Sequence, residues 1–510
     1  MPCNNSLTSR YRRLATSGTT HWLQEMGIVF AITVAISCIL WWRFLPLPHQ
    51  DLNYYTEPAY LLAKFGKLAG PGSQYVDLTY QKGIYSYPPG YFIILAGWLK
   101  LFGLSSDSLL GYTHLVHVGA MILLWIILRM RYSCSRFISV LVLLSLFPRM
   151  AHGRPDLTAT LLSLAAWAAL PEEVNWGRVV FSGCLAGATL LVSPGFGLAI
   201  IVTLTILVLL NPRLPFHSRL RLSAGWLTTA GLFFVITTAV FLTLQNSWTM
   251  AYVQFKTNVA IRGAQVNVMP EMHSLFIWVF SIVPFILVAV VPAILVVAWQ
   301  WKNVSSQVRN VGLAFLGGIA VWFVNNKSQL LLDHHFLCPS KSVFLGVLYS
   351  WPKLPVWART TPLLLLSLIS FYYHKADYLY LASPLRQEEQ RNAAEVKPSD
   401  ITAVDSLYFA RFYRPGKTLN YEVAEVGRYW FGYREAIPDF ARKEMLAGLA
   451  NRPLEPTMLV VSAYTAARFR EREQFNLPCK QTALFAERLH ILGRTWNLPA
   501  QPFALKICGE

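Results

Sequence analysis

Hydrophobic positions along this chain come in blocks. Apolar runs long enough to cross a bilayer as helices recur over the first part of the sequence, separated by short polar loops. The first runs from Met26 to Leu47 and is almost wholly apolar. It is too long for the core of a cleaved signal and has no small-residue cleavage site, so it is predicted to stay in the membrane as a signal anchor. Further spans are predicted at 110–129, 136–150, 156–170, 178–193, 196–210, 222–244, 275–299, 311–324, 338–350 and 360–374. The pattern predicts about eleven transmembrane helices.

Two of the polar connections are long. Residues 48–109 contain the amphipathic stretch "LNYYTEPAYLLAKFGKLAG" and then "QKGIYSYPPG". Residues 245–274 hold "QNSWTMAYVQFKTNVAIRGAQVNVMPEMH". Both are rich in aromatic and basic residues, which suits helices lying in the headgroup layer. After His374 the chain becomes charged, with strand patterns in "ITAVDSLYFA", "TMLVVSAY" and "FALKIC" and helix patterns in "PDFARKEMLAGLAN" and "TAARFREREQ". The predicted fold is therefore an α-helical polytopic membrane domain over residues 1–376, with interfacial helices in the first outer loop. A small C-terminal α/β domain follows over 377–510.

Composition agrees with the block pattern. Of 510 residues 54% are hydrophobic and only 14% charged, against about 25% charged in an ordinary soluble domain. The mean hydropathy is +0.40. The formal net charge of +18 does not indicate a nucleic-acid partner, because the basic residues are scattered between apolar runs and form no stripe. Membrane phosphates suit that distribution better.

The short loops set the orientation. With the N-terminus inside, the inside loops carry Arg10, Arg12, Arg13, Arg129, Arg131, Arg136, Arg178, Arg213, Arg219, Arg221, Lys302, Arg309, Lys353 and Arg359, with Glu172 and Glu173 as their nearby acids. The outside loops hold Lys64, Lys82, Arg149, Arg154, Lys256, Arg262 and Lys327, mixed with Asp51, Glu57, Asp77, Asp107, Asp156, Glu271 and Asp333. This predicts a cytoplasmic N-terminus and an extracytoplasmic tail in a plasma (inner) membrane protein. The cations on the outer side need a reason of their own.

Seven cysteines are present. Cys38, Cys134, Cys184 and Cys338 lie in or beside apolar segments and read as small hydrophobes. Cys479 and Cys508 lie in the tail, where an oxidising compartment would allow them to pair. A P-loop, HExxH, nucleophile elbow and CxxC pair are all missing, which argues against ATP-driven, zincin, α/β-hydrolase and thiol-redox chemistry.

Candidate chemistry gathers on the outer side. Asp51 follows the first span in "LPLPHQDLNYYTEPAYLLAKFG". Taken singly it reads as an N-cap for the next helix or as a base held near the headgroup plane. Pro88 and Pro89 start a helix without spending backbone donors, and Tyr85, Tyr87 and Tyr91 suit the headgroup zone. That collar is either an ordinary aromatic belt or the wall of a lipid groove, with Tyr54 and Tyr55 opposite. Asp156, in "GRPDLTATLLSLAAWAAL", is either an active-site carboxylate or an ion-pair partner for Arg154 or Arg149. Glu57 reads as a surface helix residue.

The order of these pieces resembles the GT-C superfamily of polyprenyl-phosphate-sugar-dependent glycosyltransferases, near the bacterial protein O-mannosyltransferase and lipid A aminoarabinose transferase families. The matching stretches are Asp51 after the first span, "YYTEPAYLLAKFG", "YSYPPGYFIILAGWLKLFGLSSDSLLGYTHL", "GRPDLTATLLSLAAWAAL", "SGCLAGATLLVSPGFGLAII" and "HHFLCPSKSVFLGVL". They cover residues 25–375. The chain departs from the pattern in having Leu52 where many relatives carry Glu, and Tyr87 where they often carry a basic residue before Pro-Pro.

The resemblance implies transfer of a sugar from a polyprenyl-phosphate donor to an unidentified glycan, lipid or protein acceptor. Asp51 would serve as general base, and Lys82, Arg149, Arg154, Lys256, Arg262, Lys327 and His335 would stabilise the leaving phosphate. Some members use a divalent metal ion, for which Asp333, His334 and His335 are the candidates with Asp51 or Asp156. Adjacent histidines diverge on a strand or a helix, so His335 reads more readily as a phosphate contact.

Two other classes were weighed from the residues. A transporter or flippase for a lipid-linked sugar should place charges mid-span and show inverted repeats; here the charges gather at span ends. A membrane scaffold presenting the tail leaves the outer acids and bases without a role.

Overall fold

A computed structural model describes residues 19–42, 50–68, 88–146, 155–171, 173–248, 251–252, 298, 304–325, 339–373, 402–404, 414, 418–420, 458–462, 479–481, 488–491, 494–497 and 505–508. The helices are α1 (Thr19–Trp42), α2 (Gln50–Phe65), α3 (Gly90–Phe102), α4 (Ser106–Ile126), α5 (Arg136–Leu146), α6 (Pro155–Ala169), α7 (Trp176–Val192), α8 (Pro194–Leu209), α9 (Phe216–Leu244), α10 (Ser306–Asn325), α11 (Pro339–Tyr349) and α12 (Val356–Tyr373). Every expected span except 275–299 falls on one of them; 275–299 lies outside the described residues apart from position 298. Among the described residues three segments are long and apolar enough to cross a membrane, at Gln24–Trp42, Ser106–Arg131 and Phe216–Leu244. Ile28, Phe30, Ile32 and Ile39 of α1 are exposed, as are Leu232, Val235, Ile236 and Val240 of α9. That is the surface a helix needs to face lipid rather than water.

Two helices at expected spans are short. α5 and α11 have 11 residues each, a rise of about 16 Å against a hydrocarbon core of about 30 Å. α3, with 13 residues, is also too short to span. One of its faces is buried through Tyr91, Phe92, Leu95 and Leu99, while Ile93, Ile94, Leu101 and Phe102 are exposed. It turns back on α4 at Gly103, where Ser105 caps α4 by accepting from the Ser108 amide at 3.0 Å. Trp98 Nε1 donates to the Ser108 carbonyl at 2.8 Å, closing that hairpin.

The bundle centre is built on close helix approach. Gly183 and Gly187, spaced one turn apart on α7, face α9; a Cβ at Gly187 would stand 2.6 Å from the Ala230 carbonyl oxygen. Only a residue without a side chain admits that contact, and small residues at four-residue spacing are how membrane helices bring backbones together. Ser182 joins three helices here. Its hydroxyl donates to the Ala166 carbonyl of α6 at 2.7 Å and accepts from Trp226 Nε1 of α9 at 3.0 Å.

At the expected inside face the arginines are structural. Glu25 of α1 accepts from Arg129 Nε at 2.7 Å and from Arg136 Nε at 2.8 Å. Arg131 donates to the Trp167 and Leu170 carbonyls at the end of α6, at 3.1 and 2.8 Å. A short repeat, unread in the sequence, also emerges: "PRLPFHSR" (212–219) and "PKLPVWAR" (352–359). In each, the backbone amide of the leucine bonds back three residues, to Asn211 or to Trp351, and the arginine amide bonds to the second proline's carbonyl. In each, the arginine Nε donates to the leucine carbonyl, Arg219 to Leu214 and Arg359 to Leu354. Both leucines are buried. One turn design therefore joins α8 to α9 and α11 to α12.

In the tail, β1 (Thr402–Val404), β2 (Thr418–Asn420), β3 (Met458–Ser462), β4 (Cys479–Gln481) and β7 (Leu505–Cys508) form a sheet in the order β2-β1-β3-β7-β4. β1 runs parallel to β2 and β3, and β7 antiparallel to β3 and β4. β5 (Arg488–Ile491) and β6 (Arg494–Asn497) make a separate hairpin. β1, β3 and β7 lie within the three stretches with strand patterns. The two stretches with helix patterns lie outside the described residues.

Candidate active site

The site is assembled from one end of α2, α3, α6, α7 and α8, with α4 behind them. Asp51 occupies the first turn of α2, one turn ahead of Tyr55. Tyr55 is buried, and its ring meets Tyr91 of α3 edge-on at 5.4 Å and Phe92 at 5.8 Å. Tyr91 in turn packs edge-on against Tyr112 of α4 at 6.3 Å. The Tyr112 hydroxyl is 2.7 Å from the Thr158 hydroxyl of α6.

Thr158 lies half a turn past Asp156, whose Oδ1 accepts from the Ser193 hydroxyl at 3.3 Å. Ser193 is the residue between α7 and α8. Two residues earlier, Leu191 touches Gly90, the first residue of α3; a Cβ there would lie 2.7 Å from the Leu191 Cβ and 2.9 Å from its carbonyl oxygen. These contacts close a ring: α2 to α3 to α4 to α6, across the α7–α8 junction, and back to α3.

The ring explains the "YPPG" stretch. Pro89 has the helical φ of −70° that its ring imposes, and its carbonyl accepts from the Ile93 amide at 3.0 Å, so α3 begins where the prolines end. Gly90 then lets this helix start abut the α7 backbone, and Tyr91 is fully buried between Tyr55 and Tyr112. At the far end of α2, Gln245 holds the chain down: its Oε1 accepts from the Leu68 amide at 2.8 Å and its Nε2 donates to the Gly66 carbonyl at 2.9 Å. Both ends of the helix bearing Asp51 are thus tied to the bundle, one by rings and one by an amide from α9.

The expected site residues divide sharply. Tyr55, Pro88, Pro89 and Asp156 are placed around this ring. Asp51 and Tyr54 are placed by the α2 backbone. Lys82, Tyr85, Tyr87, Arg149, Arg154, Lys256, Arg262, Lys327 and His335 lie outside the described residues. Asp333 and His334 do too, and among the described residues no three His, Cys, Asp or Glu side chains gather as a metal centre needs. Cys479 and Cys508 are placed by their strands.

One expectation is overturned. Glu57 is not a surface helix residue: it is fully buried, with Thr56 and Ala59 beside it on α2. Residues 55–59 are all buried, so this turn of α2 is enclosed on every side, and Leu61, one turn beyond Glu57, is buried on the same face.

Several polar groups were not legible as site residues. Tyr112, Thr158 and Ser193 lie within the matching stretches, but as uncharged residues in apolar runs they do not stand out there as site residues. His114 and His117 are buried on α4, with the His114 ring stacked near Trp41 at 6.4 Å. Lys341, within "HHFLCPSKSVFLGVL", is buried on α11, which packs chiefly against α10 and α5 and also touches α4 and α6. The signal that could have found Lys341 is its charge inside an otherwise apolar run; a lysine is almost never fully buried unless paired.

The chain is similar, at low identity, to several solved structures. It matches the oligosaccharyltransferase of Archaeoglobus fulgidus at 12% identity and a TM-score of 0.48, covering 85% of this chain and 68% of that one. It matches arabinosyltransferase EmbB from Mycobacterium smegmatis at 14% identity and 0.43, over 63% of this chain and 30% of that one. It matches ArnT from Cupriavidus metallidurans, bound to undecaprenyl phosphate, at 13% identity and 0.36, over 96% of this chain and 98% of that one. No family model matches the chain, and neither does any curated protein.

Proposed function

We propose that this protein is a membrane glycosyltransferase that moves a sugar from a polyprenyl-phosphate donor to an acceptor at the extracytoplasmic face. The observation that carries the reading is the contact ring. It gathers the helix bearing Asp51, the Pro-Pro start of α3 and the Asp156 turn of α6, three pieces far apart in the chain whose order resembles the superfamily.

In this reading the acceptor hydroxyl or amine attacks the anomeric carbon. The bond from that carbon to the phosphate oxygen breaks, and its electron pair leaves with the lipid phosphate. Asp51 takes the acceptor proton as the new bond forms. Lys82, Arg149 and Arg154 are proposed to receive the phosphate charge, with Lys256, Arg262, Lys327 and His335 around them. Lys341, a buried cation in the first turn of α11, is a further candidate for that role. A charge-assisted hydrogen bond to the leaving phosphate contributes roughly 1.5–3 kcal/mol, so losing one such cation should weaken donor use by about one to two orders of magnitude.

Asp156 is proposed to hold the α7–α8 junction through Ser193 and, with it, the position of α3. Tyr54, Tyr55, Tyr85, Tyr87, Pro88 and Pro89 are proposed to line the lipid side of the groove. The N-terminus is proposed to be cytoplasmic and residues 377–510 to form an extracytoplasmic α/β domain.

The test is transfer by the purified full-length protein in lipid nanodiscs, supplied with radiolabelled polyprenyl-phosphate sugars and candidate membrane acceptors. Wild type should transfer label. Asp51→Asn, nearly isosteric, should express and fold normally and transfer none. Near-normal turnover in that variant would remove Asp51 from the mechanism.

A further inference from the structure

We infer that Cys479 and Cys508 form a disulfide that staples the edge strand of the C-terminal sheet. Register is the ground for the pairing. β4 and β7 run antiparallel, and Cys479 stands directly opposite Cys508. Directly opposed residues in an antiparallel pair have Cα atoms about 4.5–5.5 Å apart and lie on the same face of the sheet. A disulfide requires Cα atoms within about 4.4–6.8 Å. A one-residue slip would move the two cysteines out of opposition and onto opposite faces.

Position in the sheet gives the bond a purpose. Among the described strands β4 is outermost in this sheet; it has three residues and pairs with β7. A pairing of three residues is held by few ladder hydrogen bonds. Cys508 is the last residue of β7, which lies between β4 and β3 and has Leu459 opposite it on the other side. A bond from the first residue of β4 to the last residue of β7 would lock the register of the edge at the point where both strands end. It would also close the segment between them, which contains the β5–β6 hairpin.

Chemically, both thiols lose a hydrogen and one S–S bond forms. The two electrons and two protons pass to the disulfide of an extracytoplasmic thiol–disulfide oxidoreductase, which becomes a dithiol. The inference rests on the tail lying outside the cytoplasm and not on the transfer chemistry. Cys38, Cys134 and Cys184 are free thiols elsewhere in the chain, so they serve as internal references.

The experiment is mass mapping of the full-length protein from membranes quenched with N-ethylmaleimide at lysis and digested without reductant. The expected result is a peptide pair joined through Cys479 and Cys508, two hydrogens lighter than the separate thiol peptides. Recovery of both cysteines as maleimide adducts would overturn the inference. A second measurement uses a membrane-impermeant maleimide on intact cells or spheroplasts. The wild-type tail should label only after reductant, and Cys479→Ser should label at Cys508 without it. Labelling of the wild type without reductant, or labelling of Cys479→Ser only after permeabilisation, would each refute the bond. Neither readout uses activity, so a bonded tail on a protein that transfers no sugar would count against the proposed reaction alone.

Discussion

Gly90 offers the sharpest test of how the site is built. In Gly90→Ala the new methyl would stand 2.7 Å from the Leu191 Cβ and 2.9 Å from the Leu191 carbonyl carbon and oxygen. Carbon atoms prefer about 3.5–4.0 Å, so α3 and the end of α7 must part by about 1 Å. The obstacle includes backbone, which cannot swing aside as a flexible side chain can. Overpacking of this kind costs about 1–3 kcal/mol. The displacement falls on the helix start that seats Tyr91 against Tyr55, one turn from Asp51. Misplacing a catalytic group by about 1 Å lowers rate by about 10²-fold.

The control is on the same helix. Gly97 has nothing within 4 Å of where its Cβ would be, so Gly97→Ala should stabilise by roughly 0.5–1 kcal/mol through helix propensity alone. Thermal unfolding in nanodiscs and the sugar-transfer assay should be run on both variants. Gly97→Ala should match or exceed wild type in melting temperature and keep its transfer rate. Gly90→Ala should melt lower and transfer about a hundredfold more slowly. Equal stability and activity in the two variants would refute the view that this backbone contact positions the site.

Other expectations follow from the same contacts. Asp156→Asn keeps a group that can accept from Ser193 but removes the charge; if Asp156 only holds the junction, transfer should fall by less than about tenfold, and a loss near that of Asp51→Asn in the transfer assay would make it a catalytic carboxylate instead. Arg219→Lys and Arg359→Lys keep the charge but lose the guanidinium Nε that reaches Leu214 and Leu354, so each should lower stability by about 1 kcal/mol in thermal unfolding, and by similar amounts, because the two turns share one design. Glu25→Gln removes the charge shared by Arg129 and Arg136 and turns one of the two accepting oxygens into a donor; a loss of about 1–3 kcal/mol is expected, and a melting temperature unchanged from wild type would mean the pair is held by α1 packing alone.

The sequence by itself determined the membrane character, the helices and the order of the motifs. Those are local properties: an apolar block of span length, a Pro-Pro helix start and a Ser cap act over a few neighbouring residues. This is why α4, α7 and α8 begin and end within a few residues of their expected limits, although α5 and α11 are too short to span as described. The strand patterns at 402, 458 and 505 were legible for the same reason.

What the tertiary structure decided depends on residues distant in the chain. In the sequence Asp156 reads either as an active-site carboxylate or as an ion-pair partner for Arg154 or Arg149; its contact with Ser193 across a helix junction is visible only in the fold. Glu57 reads as exposed because it sits in a polar loop, and it is buried because α2 lays that face on the bundle. Gly90 and Leu191 have no sequence relation, and their contact exists because the end of α7 meets the start of α3. The arginines of the short loops look like a charge bias in the chain, whereas in space Arg131, Arg219 and Arg359 bond carbonyls at helix ends and turns. Register is the clearest case. The cysteines at 479 and 508 could be counted from the sequence, but only the strand pairing sets one opposite the other, since opposition is fixed by a ladder of hydrogen bonds between two backbones.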